Sequence, residues 1–69
     1  MEKEVARRLM STALSVGSEL EKLDSVVGTL DAGREKNELV QALGGMMGIL
    51  ARDFVFPIAR QHPDLDPDR

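Results

Sequence analysis

A seam of apolar residues spaced by three and four positions runs through the first half of the chain and limits what it can fold into. The seam comprises Ala6, Leu9, Ala13, Val16, Leu20, Leu23, Val27 and Leu30. Residues at this spacing share one face of an α-helix, whereas a strand needs alternation with a period of two. No proline occurs before Pro57. The pattern therefore predicts one long helix over about residues 2–30.

Gly17 offers an alternative to this single helix. A glycine can end a helix, and Ser18 followed by Glu21 has the spacing of a capping box. The apolar seam keeps its phase across Gly17, however, and a break would normally shift it. We therefore expect a continuous helix, with two shorter helices as the alternative.

The segment Asp31-Ala32-Gly33 predicts the turn at about residues 31–33. Gly33 suits the left-handed conformation that follows a helix, Gly28 is a second candidate for the end of the first helix, and Asp31 can cap the start of the next one. A second helix follows over about residues 34–60. Its apolar residues share an arc of roughly 120°. They are Leu39, Val40, Leu43, Met46, Met47, Leu50, Phe54 and Ile58.

The end of the second helix is marked by proline. Pro57 lacks an N–H group and crowds the carbonyl of Asp53, so we expect a kink or an early end there. Residues 61–69 contain two prolines and three aspartates without apolar periodicity, which indicates an acidic tail. The chain is thus predicted to be a single helical domain over residues 1–60 with a tail.

Two helices of similar length and a short turn predict an all-α fold, an antiparallel two-helix hairpin. Such a hairpin covers each apolar stripe on one side only. With 69 residues and no cysteine, the chain is small and lacks disulfides. Dimerisation into a four-helix bundle is the simplest closed solution. A monomeric hairpin and a hairpin packed on a different protein are the alternatives.

The glycine cluster GGMMG at residues 44–48 predicts a close approach of the helices. If the turn centres near Ala32, facing residues have numbers that sum to about 64. The predicted pairs are Gly17 with Met47, Leu20 with Gly44, and Val16 with Gly48. A glycine opposite a large residue lets two helices approach below the usual ~8–10 Å. Gly45 points away from these pairs.

These arguments define a predicted interface for helix packing and oligomerisation. Its residues are Leu9, Ala13, Val16, Gly17, Leu20, Leu23, Leu43, Gly44, Met47, Gly48, Leu50 and Phe54. Ile49 and Phe56 project from the otherwise polar side of the second helix. They form either a second contact surface, or a local effect of Pro57 that rotates Phe56 inward.

No pattern in the chain predicts catalysis, a cofactor or a metal site. GGMMG is not followed by the Lys-Ser/Thr of a phosphate-binding loop, and adjacent methionines on a helix point ~100° apart. His62 has no nucleophile or scaffold beside it. Asp64, Asp66 and Asp68 open like a calcium loop, but its glycine and distal glutamate are missing. We therefore expect a protein that is not an enzyme.

The charge pattern argues against nucleic acid and membrane as partners. The net charge is −3, and no basic stripe emerges for phosphate binding. No uninterrupted apolar run approaches the ~18 residues of a membrane span, and Glu2 and Glu4 do not fit the basic start of a signal peptide. A cytoplasmic protein is the expectation.

The function predicted on this basis is protein–protein interaction by a small homo-oligomeric bundle, as an adaptor, small regulator or assembly subunit. The expected partner is a second copy, in a homodimer or a tetramer, or an unidentified protein. A ROP-like nucleic-acid-binding regulator is the alternative, by similarity of architecture only. A small-ligand binder in the bundle core is a weaker alternative.

Overall fold

The computed structural model describes residues 1–68 as two helical arms joined by a short connection. The first arm is α1 (Lys3–Val27). The second contains α2 (Arg34–Ile49), a π-helical segment (Leu50–Val55) and α3 (Phe56–Gln61), and a 3-10 turn follows at Pro63–Leu65. No strand occurs within residues 1–68, so the predicted all-α two-helix hairpin is confirmed. Arg69 of the predicted tail lies outside the described residues.

The first arm passes through Gly17 without a break and ends in two steps. Gly28 caps α1 in a right-handed helical conformation, and its N–H donates to the Asp24 carbonyl. The N–H groups of Thr29 and Leu30 then donate to carbonyls three residues back, at 3.0 and 3.1 Å. A tightened turn thus extends the first arm to Leu30 after the α-helix proper has ended at Val27.

The connection places Gly33 immediately before α2, where it is the N-cap residue. Its φ of 159° and ψ of −171° lie in a region that only glycine adopts readily. No side chain caps α2. Gly33 and not Asp31 is the N-cap residue of α2, and α1 ends with its cap at Gly28, the second of the two candidate stops. The predictions that Asp31 caps the second helix and that Gly33 terminates the first are therefore wrong.

Pro57 disturbs the second arm, and the disturbance takes the form of the π-helical segment. The N–H of Phe56 donates to the Ala51 carbonyl, five residues back. Pro57 has no N–H, and in a regular α-helix its ring would press on the carbonyl of Asp53. A wider turn ahead of the proline relieves this clash. The second arm consequently continues to Gln61, beyond the kink or early end expected at Pro57.

The core is small and lies mainly at the open end of the hairpin. The buried residues are Ala6, Met10, Ala13, Val27, Leu43 and Ile58. Ala6, Met10 and Ile58 form one cluster, against which Leu65 packs from the 3-10 turn. The tail therefore folds back over the open end and contributes an apolar side chain to the core.

The predicted seam of α1 is divided between the core and the surface. Ala13 and Val27 are buried, but Leu9, Val16 and Leu23 remain exposed. A single partner helix covers one side of α1, and the small side chains on that side allow the second arm to lie against them. The isolated hairpin thus covers the seam on one side only, as expected for two helices.

The register of the arms differs from the predicted one. A Cβ atom built on Gly17 would lie 3.7 Å from Cδ2 of Leu50, three positions beyond the predicted neighbour Met47. A Cβ atom on Gly44 or Gly48 would meet no atom within 4 Å. The predicted pairing of these glycines with α1 is wrong, because the tightened turn to Leu30 shifts the centre of the connection towards Gly33.

Polar contacts hold the tail against the N-terminus. Lys3 forms an ion pair with Asp64. Nε2 of His62 lies 3.3 Å from the carbonyl oxygen of Met1, and the Met1 amine donates to Oε1 of Gln61 at 3.2 Å. His62, expected to stand alone in the tail, is thus in contact with the first residue of the chain.

We expect Gly33→Ala to lower the free energy of unfolding by about 1–3 kcal/mol, because alanine disfavours the backbone conformation observed there. Gly28→Ala is the matched control, since Gly28 has a helical φ of −60°. Thermal or urea unfolding followed by circular dichroism measures both. Equal stability of the two variants would contradict the conformation described for Gly33.

We expect Lys3→Met to raise the pKa of the Asp64 carboxyl, which its hydrogen bond from Lys3 holds below the ordinary value. The contact is present at neutral pH and is lost as the pH falls through this lowered pKa. NMR titration should find a higher pKa for Asp64 in the variant than in the wild type. Lys22→Met, which removes only the pair with Glu19, is the control. An unchanged pKa in Lys3→Met would show that the pair does not form in solution.

Candidate interaction surface

The hairpin exposes more surface than its size requires. Within residues 1–68, six apolar side chains are buried, while thirteen large apolar side chains are exposed. The accessible surface is 5148 Å², whereas a folded monomer of 7.6 kDa is expected to expose about 4,300 Å². The hairpin measures 45 × 19 × 16 Å and therefore forms a single layer of helices. One layer leaves apolar stripes uncovered on its two broad sides.

One broad side carries a continuous set of exposed apolar side chains, here called the apolar face. Leu9, Val16 and Leu23 recur every seven positions and so lie on the same side of α1. Side chains of the second arm lie on the other side of the line along which the two arms meet. The apolar face comprises Leu9, Val16, Leu23, Val26, Leu39, Met46 and Phe54. It extends from the connection almost to the open end.

Two hollows indent the apolar face. The turn hollow, of about 350 Å³, lies beside the connection. It is lined by Leu23, Val26, Val27, Thr29, Leu30, Glu35, Leu39, Ala42, Leu43 and Met46. The open-end hollow, of about 250 Å³, is lined by Leu9, Thr12, Ala13, Val16, Leu50 and Phe54. Both are almost entirely apolar, so shape and burial, not polar chemistry, would govern what fills them.

Gly44 and Gly48 lie on the opposite broad side, here called the glycine side. Val40, Gly44 and Gly48 follow one another at steps of four residues and are exposed. Leu14 of α1 is 43% exposed and points about 180° away from Leu23, at 100° per residue. This side is shallower and contains Glu21 beside Met47 in its hollow.

The structure brings part of the predicted interface together and separates the rest. Leu9, Val16, Leu23, Leu50 and Phe54 lie on or beside the apolar face. Ala13 and Leu43 are buried between the arms. Gly17, Leu20 and Met47 are half-buried, and Gly44 and Gly48 are exposed on the glycine side.

Sequence reasoning missed three residues of the apolar face, Val26, Leu39 and Met46. Leu39 and Met46 were placed in the apolar arc of the second helix but not in the interface. Leu39 and Met46 are seven positions apart, which is also the spacing of Leu9, Val16 and Leu23. This shared spacing is the signal that the two sets lie on the same side of the hairpin. The register of the hairpin was needed to show which side that is.

The predicted second contact surface remains a prediction. Ile49 and Phe56 are 51% and 50% exposed, so the π-helical segment does not rotate Phe56 into the core. Neither residue lines a hollow of the apolar face.

Charged side chains line a hollow of about 310 Å³ at the connection, where Asp31, Arg34, Glu35 and Lys36 contribute to its wall. Arg52 donates from Nε and Nη2 to the carboxylate of Asp53 at 3.0 and 3.2 Å. This hydrogen bonding lowers the pKa of Asp53 and raises that of Arg52, although both side chains are exposed. Across residues 1–68, no three His, Asp or Glu side chains lie together as a metal site would require.

The second arm has one property that the sequence expectation did not include. Over Arg34–Gln61 it is long and apolar enough to cross a membrane by length and composition, with a mean hydropathy of 1.4 over 18 residues and 17% of that window buried. The sequence contains no uninterrupted apolar run long enough for a membrane span, but a window of high mean hydropathy can include a few charged residues. Core helices of soluble proteins and signal sequences share this property, which alone does not locate the protein.

Comparisons with known proteins add no further constraint. No protein family, no curated protein and no solved structure matches this chain at significant similarity.

We expect Gly17→Leu to lower the free energy of unfolding by about 1–3 kcal/mol, because the added side chain must displace Leu50. The same substitution at Gly44 meets open space and replaces glycine in a helix interior, so it should be neutral or stabilising by up to ~1 kcal/mol. Urea unfolding compares the two. A larger loss at Gly44 would restore the predicted close packing around that glycine.

Proposed function

We propose that this protein is a homo-oligomeric helical hairpin that acts through protein–protein interaction, as an adaptor, small regulator or assembly subunit. Two copies pair through their apolar faces and form a four-helix bundle. The observation that carries the proposal is the set of exposed large side chains along one broad side of a hairpin with only six buried residues.

The area available supports a dimer. The surface exceeds that of a typical monomer of this mass by about 850 Å². A standard stable interface buries about 800 Å² on each partner. Covering the apolar face would therefore bring one hairpin to the exposure expected for its size, and the two hollows would be filled from the partner.

Association also supports the stability of the fold. Burying a large aliphatic or aromatic side chain contributes about 1.5–3 kcal/mol. Leu9, Val16 and Leu23 gain only part of this contribution in a single hairpin, where each is 36–45% exposed. A four-helix bundle buries them without any change in the arms, so folding and pairing reinforce each other.

The cytoplasm is the location we propose for this dimer. The second arm carries the exposed pair of Arg52 and Asp53, and charged groups within a bilayer core are costly. Pairing through the apolar face covers Leu39, Met46 and Phe54, which contribute to the hydropathy of this arm.

We expect light scattering after gel filtration to find a species of twice 7.6 kDa in detergent-free buffer. Leu23→Glu should convert it to a monomer or raise its dissociation constant at least ~100-fold, because a charge would be buried in the interface. Leu14→Glu is the matched control: it changes an equally exposed leucine on the opposite side and should leave the dimer intact.

Three results would contradict the proposal. A folded wild-type monomer at all accessible concentrations would exclude the dimer. Equal effects of Leu14→Glu and Leu23→Glu would exclude the apolar face as its interface. Recovery only in detergent would exclude the cytoplasmic location.

A further inference from the structure

We infer that the two hairpins pair antiparallel and that Phe54 of each copy inserts into the turn hollow of the other. This inference rests on the proposed dimer and specifies its geometry. Phe54 is the only aromatic residue of the apolar face, and the turn hollow is the larger of the two hollows described there.

The turn hollow has ample room for an aromatic ring, and its lining is mainly aliphatic. Its volume is about 350 Å³, and aliphatic side chains including Leu23, Leu39 and Met46 surround it. Apolar cavities of about 150 Å³ accommodate benzene. Neither Phe54 nor Phe56 reaches the turn hollow of its own hairpin. The hollow lies beside the connection, whereas both phenylalanines lie towards the open end, after Leu50, where the π-helical segment begins.

Phe54 has the exposure expected of an anchor that inserts into a partner. Its side chain is 48% exposed and borders the open-end hollow without filling it. Large aromatic side chains that enter an apolar pocket commonly contribute most of the binding energy of an interface. Phe56 is equally exposed but does not border either hollow of the apolar face.

A two-fold axis at the middle of the hairpin brings these two features together. The second arm spans Arg34–Gln61, so its midpoint lies between Met47 and Gly48. A two-fold axis that runs across both arms at this level turns the second copy end for end. Phe54 of one copy then lies at the level of Gln41 of the second copy. That level lies within the stretch from Leu39 to Leu43 that lines the turn hollow. Because the interface is two-fold symmetric, both rings are accommodated at once.

The parallel arrangement lacks this complementarity. With both turns at the same end, Phe54 faces the open-end hollow of the partner, which the partner's Phe54 already borders, and the turn hollows stay empty.

The experiment uses two reciprocal variants, Phe54→Lys and Ala42→Asp, and measures the dissociation constant by light scattering or analytical ultracentrifugation. Ala42 lines the turn hollow. Each variant alone should weaken the homodimer at least about tenfold, since each places a charge in both ring sites. An equimolar mixture should recover a heterodimer, which has one unaltered ring site and one Lys–Asp pair.

Phe56→Lys is the matched control and should leave the dimer unchanged. Circular dichroism verifies that each variant keeps its helices. As a second measurement, Phe54→Trp introduces the only tryptophan of the chain. Its emission should shift to shorter wavelength as the concentration passes through the dissociation constant, and Ala42→Asp should abolish this shift.

The outcomes separate this inference from the proposed function. A wild-type dimer that tolerates Phe54→Lys, or a mixture of the two variants that stays as weak as each alone, overturns the ring-in-hollow geometry and leaves the dimer standing. A wild-type monomer overturns both. Recovery in the mixture together with the tryptophan shift supports both.

Discussion

A helix in a two-helix hairpin can be covered on one side only, and this limit governs the structure. The chain supplies apolar residues around a wider arc of both arms than a single partner can bury. The arms therefore meet through their smallest side chains, Ala6, Ala13 and Gly17, and Ile58 and Met10 complete a core at the open end. The larger side chains that remain form the apolar face. The accessible surface of the hairpin exceeds that of a typical monomer of its mass by about 850 Å², which is close to what one more copy would bury.

Pro57 determines how the second arm uses its residues. A proline inside a helix removes one hydrogen bond and crowds a carbonyl, and here a π-helical segment accommodates it without ending the arm. The continued arm carries Ile58 into the core and leaves Phe54 on the apolar face. The same arm then supports the returning tail, where Leu65 and the Lys3–Asp64 pair close the open end.

The candidate surface was predictable where a single helix determines it. Leu9, Val16 and Leu23 follow from the heptad spacing of α1 alone, because that spacing selects one side of a helix. Leu39 and Met46 could not be assigned in the same way, since two sides of the second helix were apolar enough. The glycines led to a wrong pairing because small residues are compatible both with a close contact and with no contact. Only the register of the folded hairpin shows that these glycines have open surroundings.

The sequence by itself determined two helices, a connection near Gly33 and an excess of apolar surface, because periodicity, glycine and proline act through local sterics. The tertiary structure decided the register of the arms, the length of the connection and the side on which each apolar residue lies. These depend on how the last turn of α1 tightens to Leu30 and how the second arm widens before Pro57. A shift of three positions between the arms is small for the backbone, yet it reassigns which side chains face each other.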